Sequence, residues 1–557
     1  LLKMLNSEVH FSEVPQVDMQ RSRFDRSFSH KTAIDGSYLI PIDCEPVLPG
    51  DTVTLDISHV TRMTTPIAPV MDNAFMDVYS FFVPTRLIWT HFKEFWGENN
   101  TTHWEQPIEY EEPQLVADAT TGFEVGSLAD YFGLPVGVPS ISVSHLPFRA
   151  YCKCVNDWFR DENLKDPCFI TMDETTLTNI NYDASTYDYV TDVELGVKPY
   201  KVAKVHDYFT SCLPSPQKGQ SVTIPLGTVA PVTTLPDNIS NLPTHAMHLT
   251  VTGSSVDFSS PQLIYGTNGV DGVPHLNTTR TSPGSPSGGL SGVAPSNLYA
   301  DLSQATASTI SALRMSFAVQ RFFEAQARSG SRYIEFVDAI FHVKSPDARQ
   351  QRAEFLGAKR FPINVDQVLQ TSATDVVSPQ GNTAAYSCTI DVADLCTYSA
   401  TEHGYFLVLA CIRTEHSYQQ GIERFWSRKK KFDHYIPQFA HLSEQPVLNK
   451  EIYAQGTSDD EDVFGYQECF ADYRYHKNYI TGKLRSGVSG SLDIWHYADY
   501  YTSQPYLSGE WIDETTENIK RTLAVQDEPQ FICDFYFKSV WTRPMPLFGV
   551  PGLLDHF

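Results

Sequence analysis

Two periods of apolar residues run through this chain. Val53, Leu55 and Ile57 alternate with polar neighbours behind the turn Leu48-Pro49-Gly50-Asp51. Phe531, Cys533, Phe535 and Phe537 do the same near the other end, with Asp534, Tyr536 and Lys538 on the opposite side. A period of two places successive side chains on opposite faces, so each stretch predicts a half-buried strand. Asp77–Val83 is strongly β and ends at Pro84, and the apolar run Tyr405–Ile412 has the length of a buried strand. Leu492, Ile494 and His496 also alternate and predict a strand. Spacings of three and four predict helices elsewhere. Trp89, Phe92 and Phe95 or Trp96 form a short amphipathic one. Phe148, Tyr151, Val155, Trp158 and Phe159 form a clearer second. A third covers about Ser303 to Arg328, with Ile310, Leu313 and Phe317 on one side and Ser329-Gly330 as its stop. Strands scattered over the whole chain and joined by long polar connections fit a mainly β protein, one β-sandwich with elaborate loops.

Two segments depart from this pattern. Residues 1–30 are polar and irregular, with Arg21, Arg23 and Arg26 close together, and read as an extended N-terminal arm. Residues 221–300 hold nine Gly and nine Pro, many Ser and Thr, no Lys and no Glu; their only charged residues are Asp237, Asp257, Asp271 and Arg280. Loops of this length inside a compact protein are functional or disordered. Short strand patterns at Ser221–Leu226 and His248–Val256 favour an ordered surface insertion, from about 222 to 300, with a mobile tip. Its nearly uncharged surface suits packing against copies of itself.

The length, 557 residues with 33 Phe and 28 Tyr, suits a large folded β core and not a disordered chain. The net charge of −25 argues against a classical nucleic-acid binder. If the chain encloses DNA, a basic partner or small cations must neutralise the phosphates. Ten cysteines without framework spacing read as free thiols in a reducing cytoplasm. LLKMLNSEVHFSEVPQ has no apolar core of a leader, and no run is long enough for a membrane helix, so the expectation is a soluble protein made in the cytoplasm.

Catalytic signatures are absent: no GxSxG elbow, GxGxxG fingerprint, phosphate loop or HExxH occurs. His245 and His248 lack a third ligand. Asp459-Asp460-Glu461-Asp462 offers oxygens but not the spaced ligands and glycine of a calcium loop, and reads as a solvated acidic loop. No cofactor is expected, with calcium at subunit interfaces left open. The strongest chemical signal is basic. Arg424, Arg428, Lys429, Lys430 and Lys431 are interleaved with Phe425, Trp426, Phe432 and Tyr435. Positive charge beside stacking aromatics is what a single-stranded nucleic-acid surface uses; a solvated basic turn beside core aromatics is the plainer alternative. Arg314, Arg321 and Arg328 recur every seven residues on one helix stripe and suit intrachain or intersubunit ion pairs, as interface candidates. Tyr500 and Tyr501, within the Tyr-rich 497–506 segment, are interface anchors or core.

A series of longer motifs runs in order along the chain: FDRSFSHKT at 24–32, LPGDT at 48–52, TPIAPVMDN at 65–73, FFVPTRLIW at 81–89, PFRAY at 147–151, DWFRDENL at 157–164, DLSQATASTISALR at 301–314, SPDARQQRAEFLG at 345–357, SPQGNTAAYS at 378–387, ERFWSRKKKFDHYIPQFAHLSEQPV at 423–447 and RPMPLFGVPGLLDHF at 543–557. The string resembles the major capsid proteins of gokushovirus-type microviruses, small icosahedral single-stranded DNA phages. The likeness is interrupted at 230–298 and in the loops near 100–140 and 170–200. It implies one eight-stranded antiparallel jelly roll over 1–557 with long inserted loops and a few short helices, and no enzymatic activity. Copies would form a T=1 shell around circular single-stranded DNA. The insertion would be a threefold protrusion implicated in host attachment, with Asp237, His248, Phe258, Tyr265, Asp271 and Arg280 as receptor candidates. The partners implied are further copies of the chain, the packaged DNA, a small basic internal protein, scaffolding and pilot-type minor proteins, and a host receptor. The location implied is the virion, assembled in the bacterial cytoplasm. A carbohydrate-active β-sandwich enzyme is the rival, but no motif singles out its two carboxylates. A secreted lectin-like module is a second rival, disfavoured by the cysteines and the lack of a leader.

Overall fold

The computed structural model describes residues 21–99, 102–103, 108–179, 187–220, 222, 310–330, 332–371, 380–381, 383–439 and 442–549, and the backbone of six short strands between 232 and 300. The chain divides into two compact units, residues 1–218 with 324–557, and residues 219–323.

The first unit contains nine long or edge strands that form two sheets: β1 (Ser22–Asp25), β2 (Phe28–Ile34), β3 (Ile40–Val47), β4 (Thr52–Met63), β5 (Ala74–Pro84), β6 (Glu354–Ile363), β7 (Thr389–Ser399), β8 (Gly404–Thr414) and β9 (Phe531–Arg543). One sheet is ordered β1–β9–β4–β7, with β2 also paired to β9; the other is ordered β6–β5–β8–β3. Every one of these pairings is antiparallel. The chain therefore changes sheet at most of its connections.

The alternation read from the sequence sets which face is buried. Phe531, Cys533, Phe535, Phe537 and Trp541 of β9 and Val53, Leu55 and Ile57 of β4 enter one core, while Ile532 and Tyr536 are exposed. In the ladder Phe537 lies opposite Ile57 and Phe535 opposite His59. The second sheet is different. Phe406, Val408, Ala410 and Ile412 of β8 join the core between the sheets. Leu407, Leu409 and Cys411 of the same strand join a second core with Leu146, Phe148 and Tyr151 of helix α1 (Leu146–Cys154). A strand covered on both faces needs no polar side, which is why 405–412 has no period. At Gly357, in β6, the backbone of one sheet passes close to that of the other. A Cβ there would stand 2.4 Å from the Leu395 carbonyl of β7, so this close backbone approach requires glycine.

The helical spacings are realised as Phe92–Phe95, as α1 followed by a π turn at Val155–Phe159, and as α2 (Ile310–Ser329). Gly330, just past α2, has φ +102°, the left-handed stop expected there. The start expected at Ser303 lies outside the described residues. A further helix of nine residues, α3, spans Tyr333–Phe341.

One strand expectation is corrected. Leu492, Ile494 and His496 do not form a strand; Asp493–Trp495 is a single 3-10 turn closed locally, Trp495 N donating to Leu492 O at 3.1 Å. Alternation of three residues is too short a signal when the backbone has satisfied itself within the turn. Of the arm expected at 1–30, residues 22–25 and 28–30 lie in β1 and β2 on the β9 ladder, where Phe28 stacks on Phe537 at 4.9 Å. Residues 1–20 lie outside the described residues. All ten cysteines are free, and six are buried.

In the second unit three antiparallel pairs are nested: Val232–Thr234 with Leu298–Ala300, Leu249–Val251 with Val293–Pro295, and Ile264–Asn268 with Pro274–Thr278. The strand expected within His248–Val256 is Leu249–Val251. Of Ser221–Leu226 only 222 is described.

Candidate nucleic-acid interface and assembly surfaces

Residues 424–433 contain two single 3-10 turns, Arg424–Ser427 and Lys431–Asp433. This divides the basic run into two kinds of cation. Arg424 donates to the Pro446 carbonyl at 2.8 Å and to Glu451 at 3.3 Å. Arg428 is paired with Asp472 and lies 4.3 Å over the ring of Tyr473. Both guanidinium groups are thus held by this chain's own carboxylates. Lys429, Lys430 and Lys431 are exposed. The peptide N–H groups of Lys429 and Lys430 donate to Asp433 at 2.8 and 2.7 Å, and these hydrogen bonds hold its carboxyl below the usual range. The aromatics of the segment are not core: Trp426 is 74% exposed, Phe432 59% and Phe425 46%.

Beside the two arginines lies a cleft of about 240 Å³. Phe425, Tyr473, Tyr475, His476 and Lys477 share its wall with Glu451 and Asp472. Lys477 donates to the Glu451 carbonyl at 2.7 Å. Burial brings its ammonium down to about 8 against the pull of Glu451, Glu423 and Asp207. Burial likewise raises the Glu451 carboxyl, opposed by Arg424. The sequence signal covered the 423–428 wall only. The 472–477 wall carries Tyr and cations too, but 44 residues of chain separate Arg428 from Asp472.

Arg314, Arg321 and Arg328 are all exposed on α2, and Arg328 pairs with Glu444. The same helix exposes Ile310, Met315, Phe317 and Phe322. None of the nine residues of α3, YIEFVDAIF, is buried. Tyr500 is exposed, while the Tyr501 hydroxyl donates to Asp499 at 3.0 Å and accepts from Trp511 Nε1 at 3.3 Å. Tyr497 is fully buried. Asp237, His248, Phe258, Asp271 and Arg280 lie outside the described residues, and of Tyr265 only the backbone, in Ile264–Asn268, is described.

The acidic run 459–462, expected to be a solvated loop, is solvated only in part. Asp460 is buried and its carboxylate accepts from the N–H groups of Gln455 (2.9 Å) and Gly456 (2.7 Å). Glu461 pairs with Lys450 at 2.7 Å. Among the described residues no group of three or more His, Cys, Asp or Glu could hold a metal ion.

Two buried ionic nests had no sequence signal. His145 Nδ1 accepts from the fully buried Arg149 at 3.0 Å; burial, then Arg149, lower the imidazole to about 4. His416 is held between Asp499 and Glu514, with Lys204 3.3 Å from Asp499.

Comparison with known proteins gives a consistent picture. The model of the family described as "Capsid protein (F protein)" matches residues 12–553. Capsid protein VP1 of Spiroplasma virus 4 is 42% identical over 99% of this chain and 99% of its own length. Capsid protein VP1 of Chlamydia phage 1 is 38% identical over 98% of this chain and 97% of its own. The VP1 protein of Bdellovibrio phage phiMH2K is 37% identical over 98% of each.

Proposed function

This chain belongs to the Capsid protein (F protein) family, a family of structural proteins and not of enzymes, and from that premise we propose that it self-assembles into an icosahedral T=1 shell enclosing circular single-stranded DNA. The observation that carries assembly is the apolar surface a lone protomer leaves in water. Helix α3 buries none of its residues, and Phe317, Met315, Tyr333 and Phe341 are each about two-thirds exposed, at 59, 66, 67 and 64%. Neighbouring copies would cover these side chains. Permanent interfaces commonly bury roughly 2,000 Å² or more, and repeating one set of contacts closes a symmetric particle.

In this reading β2, β4, β7 and β9 on one side and β3, β5, β6 and β8 on the other are the eight strands of a single jelly roll. The strand order supports it. The insertion from about 222 to 300 serves as the threefold protrusion for host attachment; its nearly uncharged composition supports a role apart from the acidic remainder. The net charge of −25 calls for a small basic internal protein or cations to neutralise the genome, alongside scaffolding and pilot-type proteins during assembly in the bacterial cytoplasm. Lys429, Lys430 and Lys431 are the residues proposed to meet phosphates.

The test is the mass of the purified chain in solution, by sedimentation or light scattering, with electron micrographs of the same sample. Closed particles, rings or pentamer-sized intermediates are the expected result. Protein that stays monomeric when scaffold and DNA are supplied would overturn the assembly reading.

A further inference from the structure

The cleft beside Arg424 and Arg428 has a chemistry that differs from that of the exposed lysines next to it. Its cations are already matched: Arg424 faces Glu451, Arg428 faces Asp472, and Lys477 donates to the Glu451 carbonyl. A site built for phosphate would present uncompensated positive charge, and this one does not. What it presents is half-exposed ring surface, from Phe425 (46%), Tyr473 (52%) and Tyr475 (53%). Behind the rings, two adjoining side chains of its wall carry an unused donor and an unused acceptor. The Arg428–Asp472 pair uses Arg428 Nη2 and Asp472 Oδ2. Arg428 Nε and Asp472 Oδ1 are buried and have no hydrogen-bond partner in the chain. Buried polar atoms left unpaired are costly, so such a pair marks a place that a ligand or water completes.

We propose that this cleft, lined by Phe425, Arg428, Asp472, Tyr473 and Tyr475, receives one unstacked base of single-stranded DNA. The proposal deepens the reading of the chain as a shell around such DNA and rests on it. Two features select a base over a phosphate. A volume of about 240 Å³ admits a planar heterocycle. Aromatic rings stack on any base without regard to sequence. Lys429, Lys430 and Lys431, one to three residues along, then take the phosphates on either side. The basic run seen in the sequence thus separates into a base-reading half and a backbone-reading half.

The experiment compares two probes on the full chain. A fluorescein-labelled oligothymidylate and an abasic oligomer of the same length are titrated by fluorescence anisotropy. The oligothymidylate is expected to bind about tenfold more tightly, the scale of one stacked base. Tyr473→Leu with Phe425→Leu should bring its affinity down to that of the abasic oligomer and leave abasic binding unchanged. Lys429→Ala, Lys430→Ala and Lys431→Ala together should weaken both probes equally. Equal binding of the two probes by the unaltered chain overturns the base cleft while leaving a phosphate-binding surface in place, and it needs no variant to fold. Failure of both probes to bind overturns the DNA-enclosing reading as well.

Discussion

His416 Nε2 stands 3.1 Å from the Glu514 carboxylate, and neither side chain meets solvent. On its other side Nδ1 is 3.1 Å from Asp499, itself 3.3 Å from Lys204 and 2.6 Å from Asn518. The nest ties the end of β8 to chain segments around 204, 499 and 514. Burial alone would lower the imidazole, but the two carboxylates outweigh it and raise His416 to about 10. Asp499 is held far below the usual carboxylate range because Lys204 and His416 outweigh its own burial.

The folded pKa of His416 therefore lies above the unfolded value of about 6.5. Its contribution to stability is complete below that unfolded value, declines above it, and is lost as pH rises through about 10. Melting temperature should fall between pH 7 and pH 10 more steeply for the natural protein than for His416→Gln. Parallel curves for the two proteins would show that the imidazole does not carry the alkaline loss.

Asp77 offers a second buried charge. Arg360 binds it at 2.6 and 2.9 Å, and Arg413 meets the same carboxylate from β8. Burial raises its carboxyl, and the two arginines together bring it below the usual range. Arg413→Met should destabilise the unassembled protein by about 3 kcal/mol, because it leaves a buried charge with one exposed partner. Urea unfolding measures this; a loss within 0.5 kcal/mol, roughly the noise of a surface change, would assign the pairing to Arg360.

Deleting residues 240–291 should leave particles that form normally and attach poorly to host cells. The motive is a stretch with almost no charge, on connections of the kind that carry binding. Micrographs and an adsorption assay separate the outcomes. Loss of particles would make the segment part of the shell.

Reversing Lys429, Lys430 and Lys431 to Glu should lower the DNA content of particles without blocking assembly, since all three side chains are exposed. The ratio of absorbance at 260 and 280 nm in purified particles reads this directly. An unchanged ratio would remove these residues from any major role in holding the genome.

The sequence by itself determined the strands that have one wet face, because a period of two records burial directly: β4 and β9 stand where their alternation put them, with Phe535 and Ile57 inward and Tyr536 outward. It determined α1 for the same reason at a period near 3.6, and it determined the family through motifs spread over the whole chain. Only the tertiary structure decided which strands are neighbours. β9 lies between β4 and the first two strands, more than 460 residues away from the partner that fixes Phe537 opposite Ile57. It also decided the fate of the charges. Arg424 and Arg428 look like Lys429 and Lys430 in a linear reading, but folding brings Glu451 and Asp472 against the first two and leaves the lysines in water. Period and composition register whether a side chain is buried. Pairing depends on distances between residues far apart in the chain, and a single sequence carries no record of those.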